Sequence, residues 1–515
     1  MPAIHKPATG EPLAEITAFD PAQFPAILER AREGQKMWMT LSSRERARRI
    51  KSLSPIIGEH AEALAASISD CTGKTRVDAL STEVLPAVMC TPWYARAARR
   101  LLRPEHLRGS SILFFNKRST LHREPYGVIG IISPWNYPFG IPFQEVLMAI
   151  AGGNAIVLKV VTQAQGIGDF IERIVKASTL PADLVQVCHI PGALAGPLFI
   201  ESGIDKLFFT GSTAVGKELM ALAAEKLTPV SLELGGNDAM IVLDDANLVR
   251  AAGGALWAGL SNCGQSCGGV QRILVHETVK DAFMLELKRQ FSSLRQGPDS
   301  DHHVDIGALS TAKQKAMVKS QIDAALRAGA RIACTLDELE GPGWFQAPVI
   351  LEVDDPSNPF MHEEVFGPVM SVTAFKDADE AIALANDSTM GLTTSIWTGS
   401  GKRGKQLAAR LEAGAITLND HLMSHGMCET PWGGYKESAI GRSHGRLGLE
   451  EVTQAKVVVE DQLHRLPRNM WWYPHGPHIQ EGLKGAVDLL ADKGLAKRLK
   501  GALKVAGLYL SRLHR

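Results

Sequence analysis

Apolar and polar positions alternate along the chain in two ways, a helical one near the start and a mixed one afterwards. Over residues 22–36 and 42–69 apolar side chains recur at helical spacing, which predicts helices separated by Trp38-Met39-Thr40. Residues 111–133 hold short apolar runs, Ser-Ile-Leu-Phe-Phe and then Gly-Val-Ile-Gly-Ile-Ile-Ser, and predict strands. Beyond them β-branched runs at 155–159, 184–189 and 206–210 read as strands, and 166–178 and 213–226 as helices. A second series of this kind runs from 239 to about 419. Such alternation predicts βαβ units, hence an α/β fold with parallel sheet covered by helices. No internal repeat or low-complexity linker interrupts it.

The length, 515 residues, suits about three domains. With 45% hydrophobic and 21% charged residues, a disordered, collagenous or coiled-coil chain is excluded. Lys plus Arg equals Asp plus Glu at 55 each, so no overall charge points to nucleic acid. No run of 18 apolar residues predicts a transmembrane helix, and the opening Met1-Pro-Ala-Ile-His-Lys does not read as a signal peptide. Seven scattered cysteines, an odd number, predict reduced thiols in a cytoplasm rather than a disulfide framework.

Four segments carry candidate chemistry. Lys206 to Glu218 reads as strand, glycine-rich turn and helix, a place where backbone N–H groups and the helix dipole hold an anion. Gly211-x-x-x-x-Gly216-Lys217 falls short of a triphosphate loop because Glu218 stands where Ser or Thr would hold magnesium; an ordinary tight turn explains the glycines equally well. Cys267, in Ser261-Asn-Cys-Gly-Gln-Ser-Cys-Gly-Gly269, has small neighbours that leave room for a carbonyl, against the alternative of a buried inert thiol. Glu233, in Val230-Ser-Leu-Glu-Leu-Gly-Gly-Asn237, suits a general base if desolvated and is otherwise a solvated strand-end charge. Asn136 lies between Pro134 and Pro138, either an amide oriented toward an oxyanion or a turn former. No metal site is expected: Cys263 and Cys267 lack a second pair at zinc spacing. His421 and His425 stand at i, i+4, but with Gly426 following and no third ligand they read as polar lining.

Taken together, Pro134-Trp-Asn136, Phe209-Thr-Gly-Ser-Thr-Ala-Val-Gly216, Leu232-Glu-Leu-Gly-Gly236 and Gly264-Gln-Ser-Cys267 resemble the aldehyde dehydrogenase superfamily in order and spacing. Pro7-Ala-Thr-Gly-Glu11, Thr72-Gly-Lys74, Glu363-Glu-Val-Phe-Gly-Pro368 and Pro431 to Arg442 extend the resemblance over roughly residues 5–463. It implies a Rossmann-type cofactor domain (1–106 and 126–235, with about 438–450), an α/β catalytic domain (236–437) and a small β bridging element (107–125 and 451–464). A tail, 465–515, follows.

The resemblance further implies that Cys267 is the nucleophile, that Asn136 and the Cys267 N–H hold the oxyanion, and that Glu233 activates the water that hydrolyses a thioester. The cofactor is NAD or NADP. Lys159 would meet the adenine ribose, Gly211 and Ser212 the pyrophosphate, and Glu364 and Phe366 the nicotinamide end. Trp135, Thr162, Gly216, Leu234 and Gly235 complete the cofactor contacts. Relatives pair the bridging strands between subunits, so 455–461 predicts a homo-oligomer, dimer or tetramer. Gly268 and Gly269 hint at space for larger or aromatic aldehydes, and Glu145 stands where several relatives have a lysine. The rivals are CoA-dependent acylation of the same thioester, which Glu233 opposes, a cysteine hydrolase or transferase, which needs a histidine partner, and a non-catalytic scaffold.

The tail departs from the rest. Residues 465–515 hold ten Lys/Arg against three Asp/Glu. After the cluster Trp471-Trp472-Tyr473, a helical wheel over 493–515 gathers Leu495, Leu499, Ala502, Leu503, Ala506, Leu510 and Leu513 in one arc, with Lys493, Lys497, Lys500, Lys504 and Arg515 opposite. Such a helix fits an anionic membrane surface, or docking on the enzyme body or a neighbouring subunit, or disorder; the first would make the protein cytoplasmic with peripheral membrane association and would favour a medium- or long-chain aldehyde.

NAD-preferring relatives carry Lys-x-x-Glu where this chain has Lys159-Val-Val-Thr162, and a glutamate there bonds the ribose 2′-OH and repels a 2′-phosphate. Thr162→Glu is therefore expected to lower the NADP/NAD ratio of kcat/KM, about tenfold for each 1.4 kcal/mol of lost 2′-phosphate binding. An unchanged ratio would refute the assignment of Thr162.

Overall fold

The computed structural model describes residues 4–16, 19–491 and 494–512. It divides into two compact units, residues 1–102 with 124–454 and residues 103–123 with 455–515.

The first unit contains two sheets. One is built from β1 (Val128–Ile132), β2 (Ala155–Lys159), β3 (Val185–Cys188), β4 (Lys206–Thr210) and β5 (Val230–Glu233). They lie in the order β5-β4-β1-β2-β3, all parallel, with the short strand Ala439–Ile440 antiparallel on the β5 edge. β1, β2 and β4 are buried at every position, which is why they read as unbroken apolar runs rather than alternating ones. Strand order reverses between β1 and β4, and a doubly wound sheet opens a ligand crevice at the carboxyl ends of such strands. β1 leaves that end into Ser133-Pro-Trp-Asn136, and β4 leaves it into Gly211-Ser212.

The second sheet comprises β6 (Asp238–Val242), β7 (Val270–His276), β8 (Arg331–Thr335), β9 (Val349–Glu352), β10 (Val369–Phe375), β11 (Thr393–Trp397) and β12 (Ala415–Leu418). Its order is β8-β9-β10-β7-β6-β11-β12, parallel except for β8 against β9. Four helices shape the site: α1 (Leu85–Leu101), α2 (Gly140–Ala151), α3 (Thr213–Lys226) and α4 (Leu248–Leu260). Every residue of α2 is buried.

The strands 155–159 and 206–210 and the helix 213–226 have the bounds expected from the sequence. Three expectations need correction. The first helix, Phe24–Thr40, runs through Trp38, which is fully buried and donates from Nε1 to the Ile150 carbonyl at 2.9 Å. Residues 42–69 form three helices, broken at Ser52 and His60. Residues 112–114 form a 3-10 turn, not a strand, because the Ser111 hydroxyl accepts from the Leu113 N–H and starts the turn. The cysteine reading is corrected too: Cys90 and Cys428 form a disulfide, while Cys71, Cys188, Cys263, Cys267 and Cys334 are free. Folding brings together two positions 338 apart in sequence, which no spacing rule could pair.

The second unit carries most of a three-stranded sheet, Thr453–Asp461 beside Lys117–Pro125 beside Glu105–Leu107. Its helices, α5 (Pro477–Ala491) and α6 (Leu495–Ser511), form an antiparallel hairpin. Glycines let them approach closely: a Cβ on Gly501 would lie 2.5 Å from the Gly485 carbonyl oxygen, and one on Gly482 2.6 Å from Leu508. Val505 and Leu508 face inward, onto Leu113 and Ala486 and onto Met470 and Ile479. The stripe read from the sequence points the other way, and Leu495, Leu499, Leu503 and Leu510 are 59–74% exposed. Lys493, Leu513 and Arg515 lie outside the described residues, as does the opening Met1–Ala3.

Candidate active site

Cys267 follows an abrupt turn. α4 ends at Leu260, and Asn262, Cys263 and Gly264 then all take left-handed backbone conformations, with φ of 54°, 54° and 70°. Two non-glycine residues in that region store strain, so tertiary bonds must hold them. Asp78 does so with both oxygens, accepting from the Ser261 hydroxyl and the Asn262 N–H at 2.9 Å each. Asn262 Nδ2 donates to the carbonyls of Asn136 (2.9 Å) and Gln265 (3.0 Å), and Gln265 Oε1 accepts from the Ser310 N–H. Gly264 sits where a Cβ would fall 2.0 Å from the Gly367 carbonyl oxygen, so no side chain fits there.

Asn136 is placed from the opposite direction. Lys74 is fully buried, and its Nζ donates to Glu83 Oε1 at 2.6 Å and to the Asn136 carbonyl at 2.7 Å. Glu83 Oε2 accepts from the Phe139 and Gly140 N–H groups, capping the start of α2 with a carboxylate. The Asn136 side chain donates one N–H to the Gln265 carbonyl at 3.0 Å.

Three cavities meet at Cys267. The largest, about 620 Å³, occupies the crevice between β1 and β4 and is lined by Trp135, Asn136, Lys159, Gly211, Ser212, Leu234, Gly235, Cys267, Glu364 and Phe366. The second, about 150 Å³, runs outward between α1, Tyr137, Trp257 and the 422–432 segment. The third, about 20 Å³, is a chamber lined by Glu145, Thr210, Glu233, His425, Ser443 and His444 as well as Cys267.

The large cavity fits a nicotinamide dinucleotide. Its size lies in the range of small-molecule sites, about 300–1,000 Å³. Ser212 caps α3, its hydroxyl accepting from the Val215 N–H, so the helix N-terminus faces the crevice. Lys159 is buried at the end of β2, and desolvation lowers its ammonium to about 8, leaving a cation that an anionic ligand would stabilise. Glu364 Oε1 accepts from the Gly236 N–H at 3.2 Å, and a Cβ on Gly235 would strike its other oxygen at 2.3 Å. The Trp135 and Phe366 rings meet edge to face at 5.3 Å. Two residues expected at the cofactor are not on the wall of this cavity but adjoin it. Gly216 packs against Leu234, and Thr162 starts a 3-10 turn just past Val161, the last residue of that segment on the cavity wall.

Burial dominates the electrostatics. It pushes the Cys267 thiol well up, and the carboxylates of Asp238, Glu364 and Glu233 push it further. Glu233, read as possibly solvated, is 8% exposed; desolvation and then Glu145 raise its carboxyl well above the ordinary range. Glu364 is raised to about 7 by burial. His421 and His425 are lowered by burial to about 4, and His444 well below its usual value. His421 is buried, binding the Gly268 carbonyl at 3.0 Å and lining none of the three cavities, whereas His425 lies edge-on to Trp432 and lines two of them; no group of histidine, cysteine and acidic residues suited to a metal occurs among the described residues. The space inferred beside Gly268 is filled by Trp432, which a Cβ there would meet at 2.9 Å. The sequence reading missed the positioning roles of Asp78, Glu83 and Asn262. Only Lys74 carried a signal, within Thr72-Gly-Lys74.

A reversing parallel sheet with a dinucleotide-sized crevice, opening on a cysteine at the entry to a second sheet, is the architecture of one oxidoreductase class. The aldehyde dehydrogenase family model matches residues 2–458, and the chain belongs to that family, whose members oxidise aldehydes to acids with NAD or NADP. The chain is 34% identical to the 4,4'-diapolycopene aldehyde oxidase of Methylomonas sp. over 94% of its length and 90% of that protein's. Among solved structures, the NAD-dependent aldehyde dehydrogenase of Sinorhizobium meliloti superimposes with a TM-score of 0.86 at 30% identity, covering 92% of each chain. An NADP-dependent enzyme of E. coli gives 0.84 at 30% identity, covering 89% of this chain and 94% of that one.

Because Lys74 and Glu83 are both fully buried, removing one leaves the other uncompensated. Lys74→Met is expected to lower stability in urea unfolding by about 3–5 kcal/mol, with part of the loss recovered in Lys74→Met/Glu83→Gln. Equal losses in single and double variants would show that the pair is not coupled.

Proposed function

We propose that the protein oxidises an apolar aldehyde, of medium or long chain or aromatic, through a thioester on Cys267. The observation that carries the substrate class is the 150 Å³ tunnel. Among the described residues no Asp, Glu, Lys or Arg lines it, and His425 is held neutral by burial. Its mouth is ringed by exposed Leu85, Met89, Trp257 and Met423. A carboxylated substrate would leave its charge unpaired there, a cost of several kcal/mol.

In this reading Cys267 Sγ bonds to the aldehyde carbon, its proton passing to Glu233. The oxyanion is held by the Cys267 N–H and the second N–H of Asn136 Nδ2. A nicotinamide dinucleotide held by Lys159, Gly211, Ser212, Glu364 and Phe366 supplies the hydride acceptor. Once the thiol proton has left it, Glu233 takes a proton from water, whose oxygen attacks the thioester carbon; the C–S bond breaks, the proton passes from Glu233 to the departing sulfur, and the acid is released. A buried carboxylate of raised basicity, lining the same chamber as the sulfur, supports water rather than CoA as the acceptor of the acyl group.

We read the protein as a homo-oligomer, dimer or tetramer, paired through Thr453–Asp461, whose Val457, Val458 and Val459 are 48–58% exposed. We place it in the cytoplasm, with its nicotinamide cofactor pool, and at an anionic membrane surface. No helix among the described residues is long and apolar enough to cross a membrane, but α6 turns four leucines outward and carries Lys497, Arg498, Lys500 and Lys504 with no acidic residue.

Two measurements test this. NAD(P)H formation should show kcat/KM for an aliphatic or aromatic aldehyde about 100-fold above that for an ω-carboxylated aldehyde of equal length, with Cys267→Ala inactive. Equal rates refute the substrate class, and activity in Cys267→Ala refutes the nucleophile. The full chain should sediment with phosphatidylserine vesicles and a chain ending at 464 should not; equal pelleting rules out the membrane role.

A further inference from the structure

α2 carries a single charged residue, Glu145, and buries it. Its Oε1 lies 3.3 Å from the Thr210 hydroxyl, and its Oε2 has no hydrogen-bond partner. Glu233 is in the same condition: Oε1 accepts from the Ser443 hydroxyl at 3.3 Å, and Oε2 is unpartnered. Both carboxyls line the 20 Å³ chamber that also reaches Cys267, a volume that holds about one water molecule. Two carboxylates in one desolvated space cannot both stay ionised, so the proton count belongs to the pair. Thr210 lines the chamber on one side and the 620 Å³ cavity on the other.

From this geometry, and resting on the role proposed for Glu233, we infer that Glu145 and Glu233 form a pair holding one shared proton, with Glu145 releasing protons through the Thr210 hydroxyl into the large cavity. The relay works from the state in which the shared proton is on Glu145 and Glu233 is ionised. When Glu233 takes the Cys267 thiol proton, Glu145 gives up its own to Thr210, whose hydroxyl proton passes into the cavity. The proton left on Glu233 then crosses the chamber to Glu145, and Glu233 is again a base for the hydrolytic water. The water's proton, taken by Glu233, goes to the departing sulfur, so each turnover returns the thiol and exports one proton along this path. The remaining titratable groups do not compete. Tyr94 on α1 is held as a neutral phenol by burial, His425 and His444 are neutral, Glu83 is paired with Lys74, and Arg442 acts on Glu233. Burial raises both carboxyls, Glu145 to about 8 and Glu233 well above the ordinary range, so the pair retains a proton near neutrality.

The test uses the full-length enzyme. Glu145→Gln keeps shape but cannot relay, and is expected to lower kcat about 10- to 100-fold with KM little changed, to remove one of two ionisations from the kcat–pH profile, and to regain rate with added imidazole. Thr210→Val should reproduce the loss and Thr210→Ser should not, which carries the test if Glu145→Gln does not fold. An unchanged kcat with the same two ionisations, or a loss that neither imidazole nor Thr210→Ser reverses, overturns the relay. Glu233→Gln run in parallel separates the two readings: if it retains activity, the role of Glu233 fails first, whereas its inactivity beside a normal Glu145→Gln rejects the relay alone.

Discussion

One buried ammonium fixes the relation between the parts of the site. Lys74 is tied at once to Glu83 and to the Asn136 carbonyl, with the Tyr137 ring 4.1 Å away. Through Glu83 it sets the first turn of α2, and so the height at which Glu145 enters the chamber. Through Asn136 it meets Asn262, which donates to the same carbonyl from the Cys267 loop. Asp78 in turn grips Ser261 and Asn262. The stretch 74–83 is therefore a clamp on which loops of both sheets are anchored. Desolvating an ion pair rarely gains net stability, so what this one contributes is position. It holds in place a turn whose left-handed Asn262 and Cys263 would relax in a free peptide.

The charge pattern around the sulfur decides what chemistry is open to it. Burial and three carboxylates all favour the thiol over the thiolate. A cysteine hydrolase needs the opposite, an imidazolium that stabilises the thiolate, yet His421, His425 and His444 are all kept neutral by their surroundings. His421 is further committed to the Gly268 carbonyl and Thr393. A buried thiol of this kind needs a base at hand, and two carboxyl groups, Glu145 and Glu233, line its chamber.

Much of this was legible in the sequence because it is local. β1, β2 and β4 are buried on both faces and announce themselves as apolar runs, and the turns that leave them hold Asn136 and Gly211 within a few residues of the strand ends. Family resemblance then linked Cys267, Glu233 and Glu364, which no periodicity connects. What stayed hidden depends on long-range packing. Cys90 meets Cys428, and Asp78 meets Asn262, only after folding. Gly268 looked like open space because the sequence does not reveal that Trp432 moves into it. The leucines of α6 formed the stripe a helical wheel favours for burial, but Gly482, Gly485 and Gly501 make a different face the close-packing one. A wheel ranks apolar faces by side chain and scores a glycine groove as nothing, although backbone approach there excludes as much water as a leucine would.

Gly268 and Trp432 also explain the shape of the tunnel. A side chain at 268 would collide with the indole, so the two positions trade volume, a missing Cβ on one wall for an aromatic ring on the other. The result is a cavity of about 150 Å³ with no Asp, Glu, Lys or Arg among its described lining residues, bounded by α1 on one side and by the 422–432 segment on the other. The Cys90–Cys428 bridge joins those two elements directly. Under the proposed function, such a cavity would discriminate more by charge than by chain length. Each buried methylene would gain only about 0.8 kcal/mol, a gradual preference, whereas a charged group would lose its hydration with no ion to pair it, at several kcal/mol. For the apolar aldehyde proposed above, a chain extending past the mouth would meet exposed apolar Leu85, Met89 and Met423 rather than a polar stop.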